Sequence, residues 1–129
     1  MRRLLSGIIF LFSCSFVYSQ ISYLPVDSLF RSETPSNSNN DRLYELGTEF
    51  QTLSNGYITH ARLFSNVNEG GDHIIRLWEL TGSLYTLVAG PFTWNFSAGL
   101  AGWRKFKFAS PIAVDENNTY IISIIKVKK

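Results

Sequence analysis

The residues that could carry acid–base or metal chemistry form no recognisable motif in this sequence. The two histidines, His60 and His73, have no Asp, Glu, Cys or His partner at a zinc-binding spacing, and we expect both at the surface or in loops. No serine lies in a nucleophile-elbow sequence. Carboxylates such as Glu69 and Asp72 lie in loops, where a glycosidase-like pair would need convergence in space. The sequence therefore predicts no catalytic residues, no metal site and no cofactor, and a protein that is not an enzyme.

The aromatic residues give the strongest positive indication of a site. Trp94 lies in a loop-like stretch between Phe92 and Phe96, and Trp103 begins a strand after a glycine. Exposed indole rings stack well on flat apolar surfaces such as sugar rings, although a loop tryptophan can also cover its own core. Trp78 has apolar neighbours in a strand and is predicted in the core. The candidate ligand-binding residues are therefore Trp94, Phe96 and Trp103.

The N-terminus has the pattern of a secretory signal peptide. Two arginines precede an apolar stretch from Leu4 to Val17, and Val17-Tyr18-Ser19 offers small residues before a cleavage point. We predict a signal peptide over residues 1–19 and a secreted or cell-surface location. An alternative is lipidation at Cys14, since Leu11-Phe12-Ser13-Cys14 resembles a lipobox. Cleavage after residue 19 would leave a chain without cysteine and hence without disulfides.

The net charge of the chain limits which classes of partner we expect. The chain of 129 residues is long enough for one domain, and its formal net charge is +2. Without Arg2 and Arg3, the ten remaining basic residues balance the ten acidic ones. We therefore expect no nucleic-acid partner and no membrane insertion after signal removal. The sequence leaves the oligomeric state open.

Alternating apolar residues predict strands over most of the chain. Residues 20–43 read as an extended lead-in with a polar Asn/Ser loop, and residues 44–129 as the β-sandwich core. Ser54-Asn55-Gly56 and Thr81-Gly82 are hairpin turn signals. The apolar spacing changes from two to three near Thr59–His60, which predicts a β-bulge there.

Several strands have predicted orientations. The segment His73 to Leu80 is apolar on both faces and should be a central strand, with Arg76 needing a carboxylate or carbonyl partner. Gly90-Pro91 should end the return strand that follows. In the next strand, alternation directs Phe106 and Phe108 inward and Lys105 and Lys107 outward. Together these features predict an all-β fold, an antiparallel β-sandwich of jelly-roll or immunoglobulin-like type.

Motifs spread through the chain resemble a known family. In order along the sequence they are Leu29-Phe30 with Thr34-Pro35, Tyr44 to Phe50, Gly56 to Thr59 with Arg62-Leu63-Phe64, Arg76-Leu77-Trp78 with Thr81-Gly82, Gly102-Trp103, Phe108 to Ile112 and Asn118 to Ser123. This succession, over residues 27–125, resembles the bacterial domain of unknown function 4082 family. The resemblance implies an extracellular β-sandwich module of the kind found beside adhesion-like, immunoglobulin-like or carbohydrate-active domains. It supplies no catalytic residues.

The sequence departs from that family at its end. Family members usually continue with an aromatic, glycine-containing segment where this chain stops shortly after Ile125. The departure raises the expectation that the last edge strand of the sandwich is missing.

We expect a non-catalytic secreted or cell-surface module that binds glycan or a surface protein, or acts as an adhesion or accessory domain. The alternative is a structural spacer or truncated remnant without a ligand. A hydrolase would require convergent carboxylates or a Ser–His contact in the folded chain.

Overall fold

A computed structural model describes residues 28–30, 33–35 and 45–127. The predicted signal peptide, Cys14 and most of the segment 20–43 lie outside the described residues. The strands are β1 (Glu45–Gln51), β2 (Gly56–Ser65), β3 (Gly71–Thr81), β4 (Leu84–Phe96), β5 (Gly102–Val114) and β6 (Thr119–Lys126). Within the described ranges, no helix has the length and hydrophobicity needed to cross a membrane.

The six strands form two antiparallel sheets. The large sheet has the strand order β1-β6-β3-β4, and the small sheet pairs β2 with β5. This arrangement confirms the all-β sandwich. It also confirms the central position of β3, which lies between β6 and β4. Among the described strands, the last one, β6, is interior, and the open edges of the large sheet are β1 and β4.

The core lies between the inner faces of the two sheets. One buried cluster joins Ile75 and Trp94 of the large sheet to Ala61 and Phe108 of the small sheet. The inward positions of Phe106 and Phe108 are confirmed, since Phe106 packs against this same cluster. A second cluster consists of Leu77, Val114 and Tyr120. Burying a residue such as Ile75, which is fully inaccessible, contributes about 1.5–3 kcal/mol.

The predicted core position of Trp78 is wrong. Ile75 and Leu77 occupy the inner face of β3, so Trp78 lies on the outer face and is half-buried. Its indole Nε1 donates a hydrogen bond to Ser123 Oγ at 2.9 Å. Because β3 is apolar on both faces, alternation alone could not decide which set points inward.

The Ser54-Asn55-Gly56 turn does not form the predicted hairpin. β1 pairs with β6, whereas β2 pairs with β5, so this turn carries the chain from one sheet to the other. A turn signal indicates a reversal of direction, but it does not determine whether the flanking strands pair. The Thr81-Gly82 hairpin is confirmed, since Thr81 pairs with Leu84. The bulge in β2 is also confirmed, by a register shift between Ile58 and His60.

Gly90-Pro91 does not end β4 as predicted. The strand continues to Phe96, with register shifts against β3 on either side of Leu77. β4 is an edge strand with an irregularity here, and both are settings in which sheets accept proline. Gly90 has a φ of +100°, and a Cβ at this position would lie 2.7 Å from the carbonyl oxygen of Ile75. This close approach requires glycine.

Candidate functional site

The structure brings the three predicted ligand-binding residues together. Trp94 and Phe96 from β4 and Trp103 from β5 line one open groove of about 460 Å³. We call it the aromatic groove. The remaining lining residues are Leu100, Ala101, Gly102, Arg104 and Lys105. Because the two strands belong to different sheets, the groove lies where the sheets meet.

Trp94 supplies the floor of the groove rather than a free stacking surface. Only 8% of the residue is exposed, and it belongs to β4 rather than to a loop. Its ring packs against those of Phe96 and Phe106, with centroids 4.9 and 5.8 Å away. Trp94 therefore covers the core, as one of the two alternatives foresaw, and also faces the groove; its role in binding a ligand stays a prediction.

Trp103 is half-buried, and contacts with several neighbours hold its ring. The guanidinium of Arg62 lies over its ring, 4.5 Å from the centroid, an arrangement worth about 0.5–1 kcal/mol at exposed sites. Phe64 meets the ring edge-on at 5.5 Å. Its indole Nε1 donates to the carbonyl oxygen of Glu33 at 2.9 Å. These contacts fix the orientation of the indole before any ligand arrives.

Arg104 fixes the loop that walls the groove. Its Nε donates to Ser65 Oγ at 2.8 Å, and its Nη2 donates to the carbonyl oxygens of Leu100 and Ser97 at 2.9 and 3.1 Å. The guanidinium also lies 4.5 Å from the centroid of Phe96. Sequence reasoning did not select Arg104, although alternation with Phe106 already placed it on the inner side of β5.

The outward side of the small sheet is basic next to the groove. Arg62 of β2 pairs with Lys105 of β5, and His60 pairs with Lys107. Neither strand contains an acidic residue. Partial desolvation, followed by the charges of Lys105 and Lys107, lowers the pKa of His60. We call the outward side chains of His60, Arg62, Lys105 and Lys107 the basic face. The net charge of the whole chain gives no sign of this basic face, because acidic residues elsewhere in the sequence nearly balance it.

The outer side of the large sheet carries a different aromatic surface, the Trp78 face. Trp78 donates to Ser123 Oγ, which donates to Glu45 Oε1 at 2.7 Å. The same carboxylate oxygen accepts from Arg76 Nη1 at 2.9 Å, which confirms the predicted need of Arg76 for a carboxylate. The Ser123 hydrogen bond is the main cause of a lowered pKa at Glu45, with Arg76 adding to it against the opposing effect of burial.

A second pair completes the Trp78 face. Tyr85 Oη of β4 donates to Glu49 Oε2 of β1. These strands are the two edges of the large sheet, so the contact crosses its outer face. The hydrogen bond to Glu49 raises the pKa of Tyr85.

The predicted surface or loop position of His73 is wrong. The residue is 2% exposed and lies on the inner face of β3, in phase with Ile75 and Leu77. Its ring stacks on Phe96 at 4.5 Å, and its Nε2 lies 2.6 Å from Glu69 Oε1. β3 begins at Gly71, two residues before His73, so His73 lies within the strand and packs against the core instead of facing solvent.

Within the described residues, neither histidine contacts a serine side chain. His73 Nδ1 lies 3.1 Å from the carbonyl oxygen of Gly71, and His60 Nδ1 lies 2.9 Å from Thr59 Oγ1. Their hydrogen-bond partners in the described part of the chain therefore include no serine. Among these same residues, no three His, Cys, Asp or Glu side chains gather where they could hold a metal ion.

Comparison with known families decides what the chain is related to. Residues 32–128 match the family described as Domain of unknown function (DUF4082). The chain belongs to this family. The match to DUF4082 covers most of the chain, including all six strands. No curated protein and no solved structure matches it, so the argument for a function rests on the geometry of the site.

Proposed function

We propose that this DUF4082 protein is a non-catalytic secreted or cell-surface module that binds a glycan in the aromatic groove. The observation that carries the proposal is the convergence of Trp94, Phe96 and Trp103, from two sheets, on one open groove. Secretion is supported by the signal-peptide pattern of residues 1–19.

A sugar ring matches the composition of the groove. Its C–H faces are apolar and pack on aromatic rings, while its hydroxyl groups need polar partners at the rim. Trp94 and Phe96 supply the apolar floor, and Arg104 and Lys105 supply cationic donors. A volume of about 460 Å³ lies within the range usual for small-ligand sites, about 300–1,000 Å³.

The lining of the groove favours binding over hydrolysis. Glycoside hydrolysis ordinarily requires two carboxyl groups flanking the scissile bond. Among the described residues, the eight that line the groove include no Asp or Glu. A sugar held there would therefore meet aromatic rings and cations, without the general acid that cleavage needs.

The experiment is glycan-array screening of the purified protein, followed by titration of the best ligand against Trp103→Ala. Trp103 is half-buried, so its removal should take away a groove wall while leaving the core intact. We expect Trp103→Ala to weaken binding at least tenfold, about 1.4 kcal/mol. The matched control is Trp78→Phe, which alters an indole outside the groove and should leave the affinity unchanged.

Two results would contradict the proposal. One is the absence of any glycan ligand from the array for a protein that melts cooperatively, which would favour a spacer. The other is a ligand that binds equally well to the wild type and to a folded Trp103→Ala variant. Capture of a protein ligand by the same groove would replace the glycan with a protein partner.

A further inference from the structure

We infer that the glycan is anionic, bearing carboxylate or sulfate groups, and that it extends from the aromatic groove along the basic face. This inference rests on the proposed function and adds to it the chemical class of the ligand. The observation that carries it is the segregation of charge between the two sheets.

The basic face places like charges opposite one another. Arg62 and Lys105 are direct cross-strand partners on the outward side of the small sheet, and Lys107 follows two residues later. Like charges directly opposite each other destabilise a sheet. No acidic residue occurs in β2 or β5. An anion bound across the two strands would contact cations on both of them.

Protection of a sheet edge accounts for only part of this pattern. Outward lysines on an edge strand discourage pairing with another chain, and β5 is such a strand. That role explains Lys105 and Lys107. It does not explain why the residue opposite Lys105 is Arg62, whose guanidinium is held over Trp103 at the groove wall.

The cations are spaced to contact a linear ligand. Lys105 lines the groove itself, and Lys107 lies two residues further along the same face, a distance of about 7 Å. Arg104 adds positive charge at the inner side of the groove. A chain of sugars with a regularly repeated acidic group could place one ring in the groove and acidic groups beside both lysines.

An acidic glycan fits this surface better than a nucleic acid does. The basic face supplies only four groups, of which His60 is the weakest base. Carboxylates occupy the outer side of the large sheet, at Glu45 and Glu49. Nucleic-acid sites usually present basic residues over a broad surface. Here the two strands of the small sheet carry basic residues and no acidic ones over a limited surface, which suits a short ligand.

The test compares oligosaccharides of equal length by calorimetry with the purified protein. The acidic probes are an oligogalacturonate, which carries carboxylates, and a chondroitin sulfate oligomer, which carries sulfates. A neutral cello-oligosaccharide and a short DNA duplex are the controls. We expect at least one acidic probe to bind more than tenfold more tightly than the neutral one, with an affinity that falls as salt rises. Preference between the acidic probes identifies the anionic group.

Two variants test whether the charges that strengthen binding of the acidic probe lie on the basic face. Lys107→Gln removes one charge from the basic face, outside the groove lining, and should weaken binding of the acidic probe about two- to fivefold, the range for an exposed ion pair. Lys126→Gln removes one charge from the large sheet and is the matched control, with no expected effect. Binding of the neutral probe should be the same for both variants.

The outcomes separate this inference from the proposed function. If acidic and neutral probes bind equally and Lys107→Gln has no effect, the anionic class is wrong while glycan binding stands. If no oligosaccharide of either kind binds, both fail. Tighter binding of the DNA duplex than of either acidic probe would also overturn the inference.

Discussion

The aromatic groove with its basic face and the Trp78 face use similar residues in opposite ways. Each contains a tryptophan, an arginine and further charged or polar side chains. On the Trp78 face, the charges have hydrogen-bond partners within the sheet: Trp78, Ser123, Glu45 and Arg76 form one hydrogen-bonded chain, and Glu49 accepts from Tyr85. On the basic face, cations oppose cations, and neither β2 nor β5 contains an acidic residue.

This difference separates stabilising contacts from contacts available to a ligand. Hydrogen bonds that involve a charged group contribute about 1.5–3 kcal/mol when both partners are present, so the Trp78 face contributes to stability. On the basic face, like charges lie opposite each other across β2 and β5, an arrangement that lowers the stability of a sheet. Exposure of an aromatic ring therefore does not distinguish the two surfaces, whereas the arrangement of charges along the strands does.

Ser123→Ala should give the largest effect and should affect stability alone. The serine is 3% exposed and links Trp78 to Glu45. Its loss leaves an indole N–H and a carboxylate without their shared partner, which should cost about 1–3 kcal/mol in the free energy of unfolding. Urea denaturation measures this change. Glycan affinity, measured on the folded variant, should not move. A large loss of affinity would show that the two surfaces are coupled.

The double variant Lys105→Gln, Lys107→Gln should lose affinity for an acidic oligosaccharide while keeping its stability. Removing two cations from the basic face relieves repulsion, so the free energy of unfolding should stay constant or rise by up to about 1 kcal/mol. Affinity for an acidic oligosaccharide should fall. A variant that loses stability would mean that these lysines support the fold, and the contrast between the surfaces would then fail.

The carboxyl group of Glu45 should make the stability of the protein depend on pH in the acidic range. Its folded-state pKa is lowered, first by the Ser123 hydrogen bond, so the unfolded state takes up a proton at higher pH than the folded state. The stability gained is fully present above the unfolded pKa and is lost as pH falls through the folded value. Glu45→Gln should flatten the stability profile in this acidic range. An unchanged slope would contradict the role of the chain of hydrogen bonds.

His60 should give the smallest effect, seen in binding. Desolvation and two neighbouring lysines lower its pKa, so it gains a proton only as pH falls below its usual range. The added charge should strengthen binding of an acidic oligosaccharide at acidic pH, provided the ligand stays ionised, and His60→Gln should abolish the increase. In the free protein the sign is opposite: stability should decline slightly as pH falls through the lowered pKa. A binding profile unchanged by His60→Gln would place the ligand elsewhere.

The sequence predicted the features that depend on local pattern. Alternation identified the strands, the inward phenylalanines of β5 and the bulge before His60, because the side-chain period of two is a property of the strand itself. The three groove residues were also chosen from the sequence, by aromatic type and flanking glycine or loop signals.

Features that depend on how the two sheets pack together could not be predicted from the alternation of apolar residues. β3 is apolar on both faces, so only packing against the small sheet decides that Ile75 rather than Trp78 points inward. The same packing buries His73. The turn after β1 joins two sheets, which its residues do not encode. The segregation of charge emerged only once β2 and β5 were known to pair, since the whole chain is nearly neutral.

The indole N–H signals of the three tryptophans test the central claim most directly, because each tryptophan reports on a known position. Trp94 and Trp103 line the groove, and Trp78 belongs to the opposite surface. In a ¹⁵N-labelled sample titrated with an acidic oligosaccharide, the account predicts that the Trp103 signal shifts, with Trp94 following, while the Trp78 signal stays in place. A saturable shift of Trp78 with Trp103 unmoved would contradict it.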